Sequence, residues 1–259
     1  MEHTTILVAD NPPIRTITLN RPQRRNAITP EMQLELIAAF DEAAASECRV
    51  LVLSGAGQAF CSGLDLTVLE SIASQTASDQ RADAERIATL FRKLYELPIP
   101  TIAAVRGAAI AGGTGLATIC DFTLATPEAK FGFTETRIGF IPALVSAFLV
   151  LQVGDKLSRD LLLTGRFFDA AEAYRLGLVN EVVPADQLAA RVQALAEQLA
   201  ANSPQSQRAT KALLAAQNKE WLDAAIADAL EANAKARQTE DFREGVAAFL
   251  NKRKPRWSE

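Results

Sequence analysis

Two glycine-bearing segments of the chain, residues 60–66 and 106–115, carry residue types that can stabilise negative charge on an oxygen atom. An enolate oxygen needs two backbone N–H groups aimed at one point, and glycine lets the main chain approach that closely. Apolar runs at residues 50–53 and 101–105 precede the two segments, so each is predicted to be a turn that follows a buried strand. We therefore predict two rigid turns that together form an oxyanion hole.

The sequence restricts which side chains can move protons. Its only histidine is His3, the third residue. A Ser-His-Asp triad, a histidine-based zinc site and a histidine general base would all lack their central residue. Proton transfer must then fall to a carboxylate, a cysteine or a water molecule.

A nucleotide-binding loop is the rival interpretation of the glycines. The dinucleotide fingerprint G-x-G-x-x-G fails over residues 113–118, because Thr118 stands at its last position. No G-x-x-x-x-G-K-[ST] motif occurs either. The glycines therefore favour oxyanion binding over a nicotinamide cofactor.

Composition and charge describe a single globular unit. A chain of 259 residues with 49% hydrophobic residues can bury a full core. Its net charge of −4 gives no reason to expect nucleic-acid binding. Cys48, Cys61 and Cys120 show neither disulfide nor metal spacing, and residues 1–4 do not resemble a signal peptide. We expect a soluble cytoplasmic protein with no metal, nucleic-acid partner or membrane segment.

The apolar patterns predict an α/β core followed by helices. Strands are predicted at residues 5–10, 14–19, 50–54, 101–106, 121–126 and 179–183, and helices at 30–45, 79–96, 143–153 and 169–176. Helices alone follow Pro184, at residues 185–201, 204–217, 221–238 and 241–251. This shift predicts a core over residues 1–200 and a helical region over 201–259. The polar stretch 71–84 is predicted to be a mobile surface loop.

Seven landmarks in one order resemble the crotonase, or enoyl-CoA hydratase/isomerase, superfamily. They are residues 24–28 (RRNAI), the two glycine segments, Cys120-Asp121, 131–135 (FGFTE), 177–180 (GLVN) and 248–254 (AFLNKRK). The resemblance implies a crotonase-like ββα superhelical spiral with a C-terminal helical trimerisation region. It also implies an acyl-CoA thioester substrate, no cofactor beyond that coenzyme A, and a homotrimer or a dimer of trimers.

The resemblance assigns roles to individual residues. The oxyanion donors would be the N–H groups of Leu64 and Gly112, and Gly112 would also open a helix and accept no side chain. Glu135 matches one family acid/base glutamate, whereas Gly115 stands where the best-known hydratases carry another. The residues implied to contact substrate and coenzyme A are Arg25, Ala27, Ala59, Ser62, Leu64, Asp65, Gly112, Gly115, Phe249 and Lys252, the last two from a neighbouring subunit.

Three functions stay open at this point, and we predict the first of them, an enoyl-CoA hydratase. Residues 131–143 resemble a bacterial subgroup of enoyl-CoA hydratases, some of which also carry glycine at the position of Gly115. A lone glutamate is equally what a Δ3,Δ2-enoyl-CoA isomerase uses. A catalytically silent acyl-CoA-binding protein is the third. Arg137 is interpreted either as half of a surface ion pair or as a contact for a substrate carboxylate. Asp65 and Asp121 are expected to hydrogen-bond their own turns.

Overall fold

The computed structural model describes residues 3–72 and 75–258, and it has the α/β architecture that the sequence predicts. The strands are β1 (Ile6–Asn11), β2 (Ile14–Leu19), β3 (Val50–Gly55), β4 (Ala59–Cys61), β5 (Thr101–Val105), β6 (Ala108–Ile110), β7 (Phe122–Ala125), β8 (Lys130–Gly132), β9 (Phe167–Asp169) and β10 (Glu181–Val182). The helices are α1 (Pro30–Ala45), α2 (Leu66–Ile72), α3 (Ala77–Glu96), α4 (Gly112–Ile119), α5 (Ala143–Thr164), α6 (Ala170–Arg175), α7 (Leu188–Ala201), α8 (Pro204–Ala236) and α9 (Glu240–Leu250).

Two sheets are wound by repeating strand-strand-helix units. The larger sheet has six strands in the order β1-β2-β3-β5-β7-β10, parallel except for the antiparallel β1–β2 pair. The smaller sheet has four strands in the order β4-β6-β8-β9. Each turn of the spiral contributes one strand to each sheet, as in β3–β4, β5–β6 and β7–β8. The resemblance to the crotonase spiral is thereby confirmed.

The larger sheet is covered on both faces. Successive side chains of a strand point to opposite faces. Val50 and Val52 of β3 pack with the apolar side of α7, whereas Leu51 and Leu53 belong to the main core with α1 and α3. Strands buried on both faces read as continuous apolar runs, which is why this sheet could be predicted.

The smaller sheet was not predicted. Its strands β4, β6, β8 and β9 are each three residues long. A segment this short does not establish an alternating or a continuous apolar pattern. It matters for function because β4 and β6 lead directly into the two glycine turns.

The prediction of a loop over residues 71–84 is wrong for most of that stretch. Residues 71–72 end α2, and α3 begins at Ala77, with the Thr76 side chain accepting a hydrogen bond from the Asp79 N–H at 3.2 Å. Residues 73–74 lie outside the described residues. The helix predicted at residues 79–96 is confirmed, and the loop prediction overlapped its first turns because the buried positions there, Gln80 and Asp83, are polar and break the apolar period.

Two further helix boundaries differ from the prediction. Helix α5 does not end at residue 153: Gly154 adopts φ 74°, and the chain then continues as helix to Thr164. Helix α8 runs without a break through residues 218–220, which are polar but contain neither glycine nor proline. Helix α8 packs on α3 and α5, so it covers the side of the core where the site lies.

Three further predictions concern the cysteines, membrane segments and the boundary between core and helical region. Cys48, Cys61 and Cys120 are all buried free thiols. Within residues 3–72 and 75–258, no helix is long and apolar enough to cross a membrane. Helix α7 ends at Ala201 and α8 begins at Pro204, but a division of the chain at residue 200 stays a prediction.

Candidate active site

The two glycine turns are in direct contact. Gly63 has φ +83°, and a Cβ placed on it would lie 2.9 Å from the Ile110 carbonyl oxygen and 3.0 Å from the Ala111 Cβ. A Cβ placed on Gly113 would lie 2.2 Å from the Cys61 carbonyl oxygen. Both turns therefore need glycine, one for its left-handed conformation and the other for the close approach.

Asn26 holds the first turn in place. This side chain is fully buried, and its Nδ2 donates to the carbonyl oxygens of Ala56 (2.9 Å) and Ala59 (2.8 Å). Its Oδ1 accepts from the Arg21 N–H at 2.9 Å. Arg25 and Asn26 both adopt left-handed φ values, 51° and 54°, which fold the chain back towards β4. Asn26 thus positions the turn rather than facing a ligand.

The Leu64 N–H points away from Ile28, the residue that pairs with Leu64. The Ile28 N–H donates to the Gly63 carbonyl oxygen at 2.8 Å, and the Asp65 N–H donates to the Ile28 carbonyl oxygen at 2.9 Å. Because these bonds flank Leu64, its own N–H points to the opposite side. Within the described part of the chain, this N–H donates to no protein acceptor.

Gly112 opens α4, as the sequence predicts. Ala111 precedes it with φ 53° and ψ −125°, a conformation that is strained for a residue with a Cβ. The Ala111 N–H donates to the Gly132 carbonyl oxygen at 2.7 Å, which ties this corner to β8. The Gly112 N–H belongs to the first turn of α4 and donates to no acceptor among the described residues. The structure thus brings two unused N–H donors to one place.

An apolar cavity of about 450 Å³ lies beside these donors. Six of the residues implied by the resemblance border it, namely Arg25, Ser62, Leu64, Gly112, Glu135 and Phe249. Five others do not, namely Ala27, Ala59, Asp65, Gly115 and Lys252. Phe249, about half exposed, borders the cavity of its own chain; a contact of Phe249 or Lys252 with a neighbouring subunit stays a prediction.

Glu135 is the one carboxylate among the described residues that border the cavity. It begins the 3-10 helix Glu135–Ile138, directly after β8 and Thr134. Its Oε2 is enclosed and has no hydrogen-bond partner among the described residues. Burial disfavours the charged carboxylate and raises the pKa of Glu135 to about 7. Glu135 can therefore both accept and donate a proton near neutral pH.

Helix α9 fixes the position of the 3-10 helix. A Cβ placed on Gly139 would lie 2.1 Å from the Asp241 carbonyl oxygen, and one placed on Gly245 would lie 2.2 Å from the Ile138 carbonyl oxygen. Phe140 and Phe242 pack with their ring centroids 4.9 Å apart. This close backbone contact holds Glu135 from the C-terminal side of the chain.

Gly115 lies outside the cavity, behind its wall. A Cβ placed on Gly115 would lie 2.7 Å from Val145 Cγ1 and 3.3 Å from Phe91 Cζ. The space that a second glutamate would need is therefore filled by apolar side chains. The arrangement is built for one carboxylate.

Gly112 is not surrounded closely by protein atoms. A Cβ placed there would lie 3.7 Å from Ile28 Cδ1 and 3.8 Å from Phe91 Cζ, which are ordinary contact distances. The folded chain thus has room for a methyl group at Gly112, and the expectation that a side chain here disturbs the oxyanion donor stays a prediction. A methyl group on Gly112 would compete for space only with a molecule bound between Ile28, Phe91 and the oxyanion donors.

Asp65 hydrogen-bonds its own turn, as expected from the sequence, but the same expectation is wrong for Asp121, which bonds to the first residue of β5 and to α8. The Asp65 carboxylate accepts from Thr67 Oγ1 and from Arg21 Nη1, both at 2.8 Å. Burial alone would raise the pKa of Asp65, but these hydrogen bonds outweigh burial and lower it. The Asp121 carboxylate accepts from the Thr101 N–H at 2.8 Å and from Lys211 Nζ at 2.5 Å. Both side chains are thus committed to structure.

Two arginines at the cavity behave differently. Arg137 is exposed and lies over the Phe167 ring, with its Cζ 4.7 Å from the ring centroid. Arg237, near the end of α8, is 3% exposed. Arg237 could not be identified from the sequence, because nothing in a long polar helix distinguishes a buried arginine from an exposed one.

The chain is similar to proteins of one family over nearly its whole length. The family model of enoyl-CoA hydratase/isomerase matches residues 10–259. A Thermus thermophilus protein described as an enoyl-CoA hydratase is 44% identical, over 94% of this chain and 97% of its own. The 2,3-dehydroadipyl-CoA hydratase of Escherichia coli is 32% identical, over 96% of this chain and 97% of its own. A crystal structure of an enoyl-CoA hydratase/isomerase from Xanthobacter autotrophicus has a TM-score of 0.90, with 32% identity and 100% of both chains covered.

Proposed function

Because the chain belongs to the enoyl-CoA hydratase/isomerase family, we propose that it adds water across the 2,3 double bond of an enoyl-CoA thioester, with Glu135 as the only acid/base residue. One observation carries this proposal. The carboxylate of Glu135, with a pKa raised to about 7 by burial, borders the same cavity as the two unused N–H groups of Leu64 and Gly112. A proton-transfer group and an oxyanion site are thus combined in one apolar pocket.

The proposed reaction begins at the thioester carbonyl. Its oxygen accepts hydrogen bonds from the N–H groups of Leu64 and Gly112, which draws electron density from C3 of the conjugated double bond. The Glu135 carboxylate takes a proton from water while the water oxygen bonds to C3 and the electrons of the double bond move into an enolate. Protonated Glu135 then returns a proton to C2, and the thioester carbonyl is restored.

Two features of the site support this assignment of roles. The N-terminal end of α4 carries partial positive charge, which favours the enolate oxygen at Gly112. The cavity around Glu135 is mostly apolar, so electrostatic interactions within it are stronger than in water. The oxyanion donors and the acid/base group therefore act where they are most effective.

The proposal extends to coenzyme A and to assembly. Arg25 and Ser62 border the cavity on the side of the first glycine turn, where a thioester must enter to reach Leu64. We propose that this side receives the pantetheine. A homotrimer or a dimer of trimers would add Phe249 and Lys252 of a neighbouring chain to the binding of the coenzyme.

Isomerisation is the second candidate, and Gly115 is the observation that favours it. A Δ3,Δ2-enoyl-CoA isomerase needs a single carboxylate to move a proton between C2 and C4, and Glu135 is a single carboxylate. The third candidate is acyl-CoA binding without turnover. It gives no functional reason for the raised pKa of Glu135.

A comparison of two substrates distinguishes these functions. The purified protein is given 2-enoyl-CoA and 3-enoyl-CoA esters of the same acyl length, and hydration and double-bond migration are followed separately. We expect hydration of the 2-enoyl ester to have the higher kcat/KM. Faster conversion of the 3-enoyl ester to the 2-enoyl ester would make the protein an isomerase. Binding of both esters without conversion would make it a binding protein.

A further inference from the structure

Arg237 has a buried guanidinium beside the cavity whose hydrogen bonds are incomplete among the described residues. Its Nε donates to Asn233 Oδ1 at 2.7 Å, and its Nη2 donates to Asp83 Oδ2 at 2.9 Å. Its Nη1 is enclosed and has no acceptor among the described residues. Arg237 and Asn233 both border the same cavity as Glu135. A buried donor of this kind is costly unless an acceptor completes it.

The cluster around Arg237 carries more positive than negative charge. Asp83 is shared, because Arg86 Nη1 also donates to its Oδ1, at 3.2 Å. Arg86 further donates to Gln33 Oε1 at 3.4 Å, and Gln33 Nε2 is a second enclosed donor without an acceptor among the described residues. Two guanidinium groups thus share one carboxylate. The charge of this cluster favours the arrival of an anion.

Helix α3 relates the cluster to the oxyanion donors. Phe91, Ile87 and Asp83 lie on one face of this helix, at successive spacings of four residues. Phe91 is next to Gly112, Ile87 borders the cavity and Asp83 pairs with Arg237. At about 1.5 Å per residue, Asp83 lies about 12 Å along the helix axis from Phe91. The apolar part of the cavity lies between the oxyanion end and the arginine end.

We propose that Arg237 binds a carboxylate at the far end of the acyl group, so that the preferred substrates are dicarboxylic enoyl-CoA esters. The inference rests on the proposed function, since it takes the thioester to lie at Leu64 and Gly112. The apolar wall between the two ends accommodates methylene groups, and the terminal carboxylate accepts a hydrogen bond from Arg237 Nη1. Phe140, whose ring centroid lies 6.0 Å from the Arg237 Cζ, covers one side of the guanidinium.

Arg137 is the competing site for such a carboxylate. It also borders the cavity, but it is exposed and lies over the Phe167 ring. A carboxylate bound in water gains little from an exposed arginine, whereas one that reaches a buried, incompletely paired guanidinium gains a charge-assisted hydrogen bond. The difference in burial favours Arg237.

The first test needs no variant. Dissociation constants are measured for two saturated CoA thioesters of equal chain length, one ending in a methyl group and the other in a carboxylate. These ligands do not react, so the measurement is independent of hydration. We expect the dicarboxylic thioester to bind about tenfold more tightly or better, the usual effect of a hydrogen bond to a charged group. Equal binding, or tighter binding of the methyl-terminated thioester, would overturn the inference and leave the proposed hydratase function standing.

Variants test whether Arg237 causes the preference for the dicarboxylic thioester. Arg237→Lys keeps a cation for Asp83 but removes the fork, and Arg237→Gln removes the cation while Asp83 keeps Arg86 as its partner. We expect each to lose most of the preference for the dicarboxylic thioester while the methyl-terminated thioester binds as before. Arg81→Gln, an exposed arginine on α3, is the matched control and should keep the preference. Loss of the preference in Arg137→Gln, with both Arg237 variants unaffected, would assign the carboxylate to Arg137 and refute the proposal.

Discussion

The side chain of Val145 occupies the space into which a side chain on Gly115 would extend. The two would meet at 2.7 Å, and Phe91 Cζ closes the same space at 3.3 Å. A second carboxylate at residue 115 is thus excluded by packing as well as by sequence. Under the proposed function, Glu135 would activate water without help from a carboxylate at residue 115.

Gly115→Glu is therefore expected to lower hydration rather than to raise it. The new side chain must displace Val145 and Phe91, and overpacking of this kind costs about 1–3 kcal/mol before the burial of its charge is counted. Thermal unfolding and the hydration rate, measured on the same preparation, test this. In Gly115→Glu/Val145→Ala the space is enlarged, and we expect stability to recover in part. A single variant that is as stable as the parent and hydrates faster would show that Val145 does not limit the site.

Replacing Glu135 should remove turnover and its pH dependence together. Glu135→Gln keeps the size of the side chain but cannot take a proton, so kcat should fall about a hundredfold or more. In the parent, kcat/KM should rise with pH as Glu135 loses its proton and level off above about 7, because only the carboxylate accepts a proton from water. The control is Glu128→Gln, an exposed glutamate of the turn before β8, which should change neither quantity. A pH profile that persists in Glu135→Gln would assign the titration to another group.

The same substitution should stabilise the folded protein at high pH. The pKa of Glu135 is raised from 4.5 to about 7, so between these values the folded chain binds a proton that the unfolded chain has lost. The free energy of unfolding of the parent therefore falls as pH rises. In Glu135→Gln this contribution from the titration of residue 135 is absent. At about 1.4 kcal/mol per pKa unit, the variant should be more stable by about 3 kcal/mol at pH 8 and by less than about 1 kcal/mol at pH 5. Denaturant unfolding at both pH values measures the difference, and a gap that does not grow with pH would contradict the burial of the carboxylate.

The sequence could predict the parts of the site that backbone geometry requires. Gly63 and Gly113 are needed for a left-handed turn and a close approach, and such needs leave glycine at fixed places between a buried strand and a helix. Glu135 could be predicted because it matches a glutamate of the family that the chain resembles, and because the only histidine in the sequence is His3. These signals are local, so one sequence contains them.

The parts that depend on distant contacts could not be predicted. Asp83 and Arg237 are 154 residues apart in the chain, and each is an ordinary charged residue of a helix until the fold buries both. Asn26 donates to backbone carbonyl groups, and because every residue has one, the sequence does not identify these partners. The loop prediction at residues 71–84 failed for a related reason, because Asp83 is buried in ion pairs with Arg86 and Arg237 and so breaks the apolar period of α3.

Gly112→Ala tests the oxyanion site without disturbing the fold. The added methyl group would lie 3.7 Å from Ile28 Cδ1, so we expect an unfolding temperature close to that of the parent. The methyl group would nevertheless occupy space beside the thioester oxygen, and loss of one oxyanion donor costs roughly 3–4 kcal/mol in the transition state. Hydration should therefore fall by two to three orders of magnitude with little change in stability. A stable variant with normal kcat would remove Gly112 from the site.

Gly245→Ala should impair catalysis from outside the cavity. Its Cβ would lie 2.2 Å from the Ile138 carbonyl oxygen, so either α9 or the 3-10 helix that begins at Glu135 must move. Displacement of a catalytic group by about 1 Å can cost a hundredfold in rate, and we expect a loss of that order in kcat. The dissociation constant of a saturated CoA thioester should change much less, because the oxyanion donors lie on other elements. Arg243→Ala, which removes an exposed side chain from the same helix, is the control and should retain the activity of the parent. If Gly245→Ala were as active as the parent, the contact between α9 and the 3-10 helix would not be what positions Glu135.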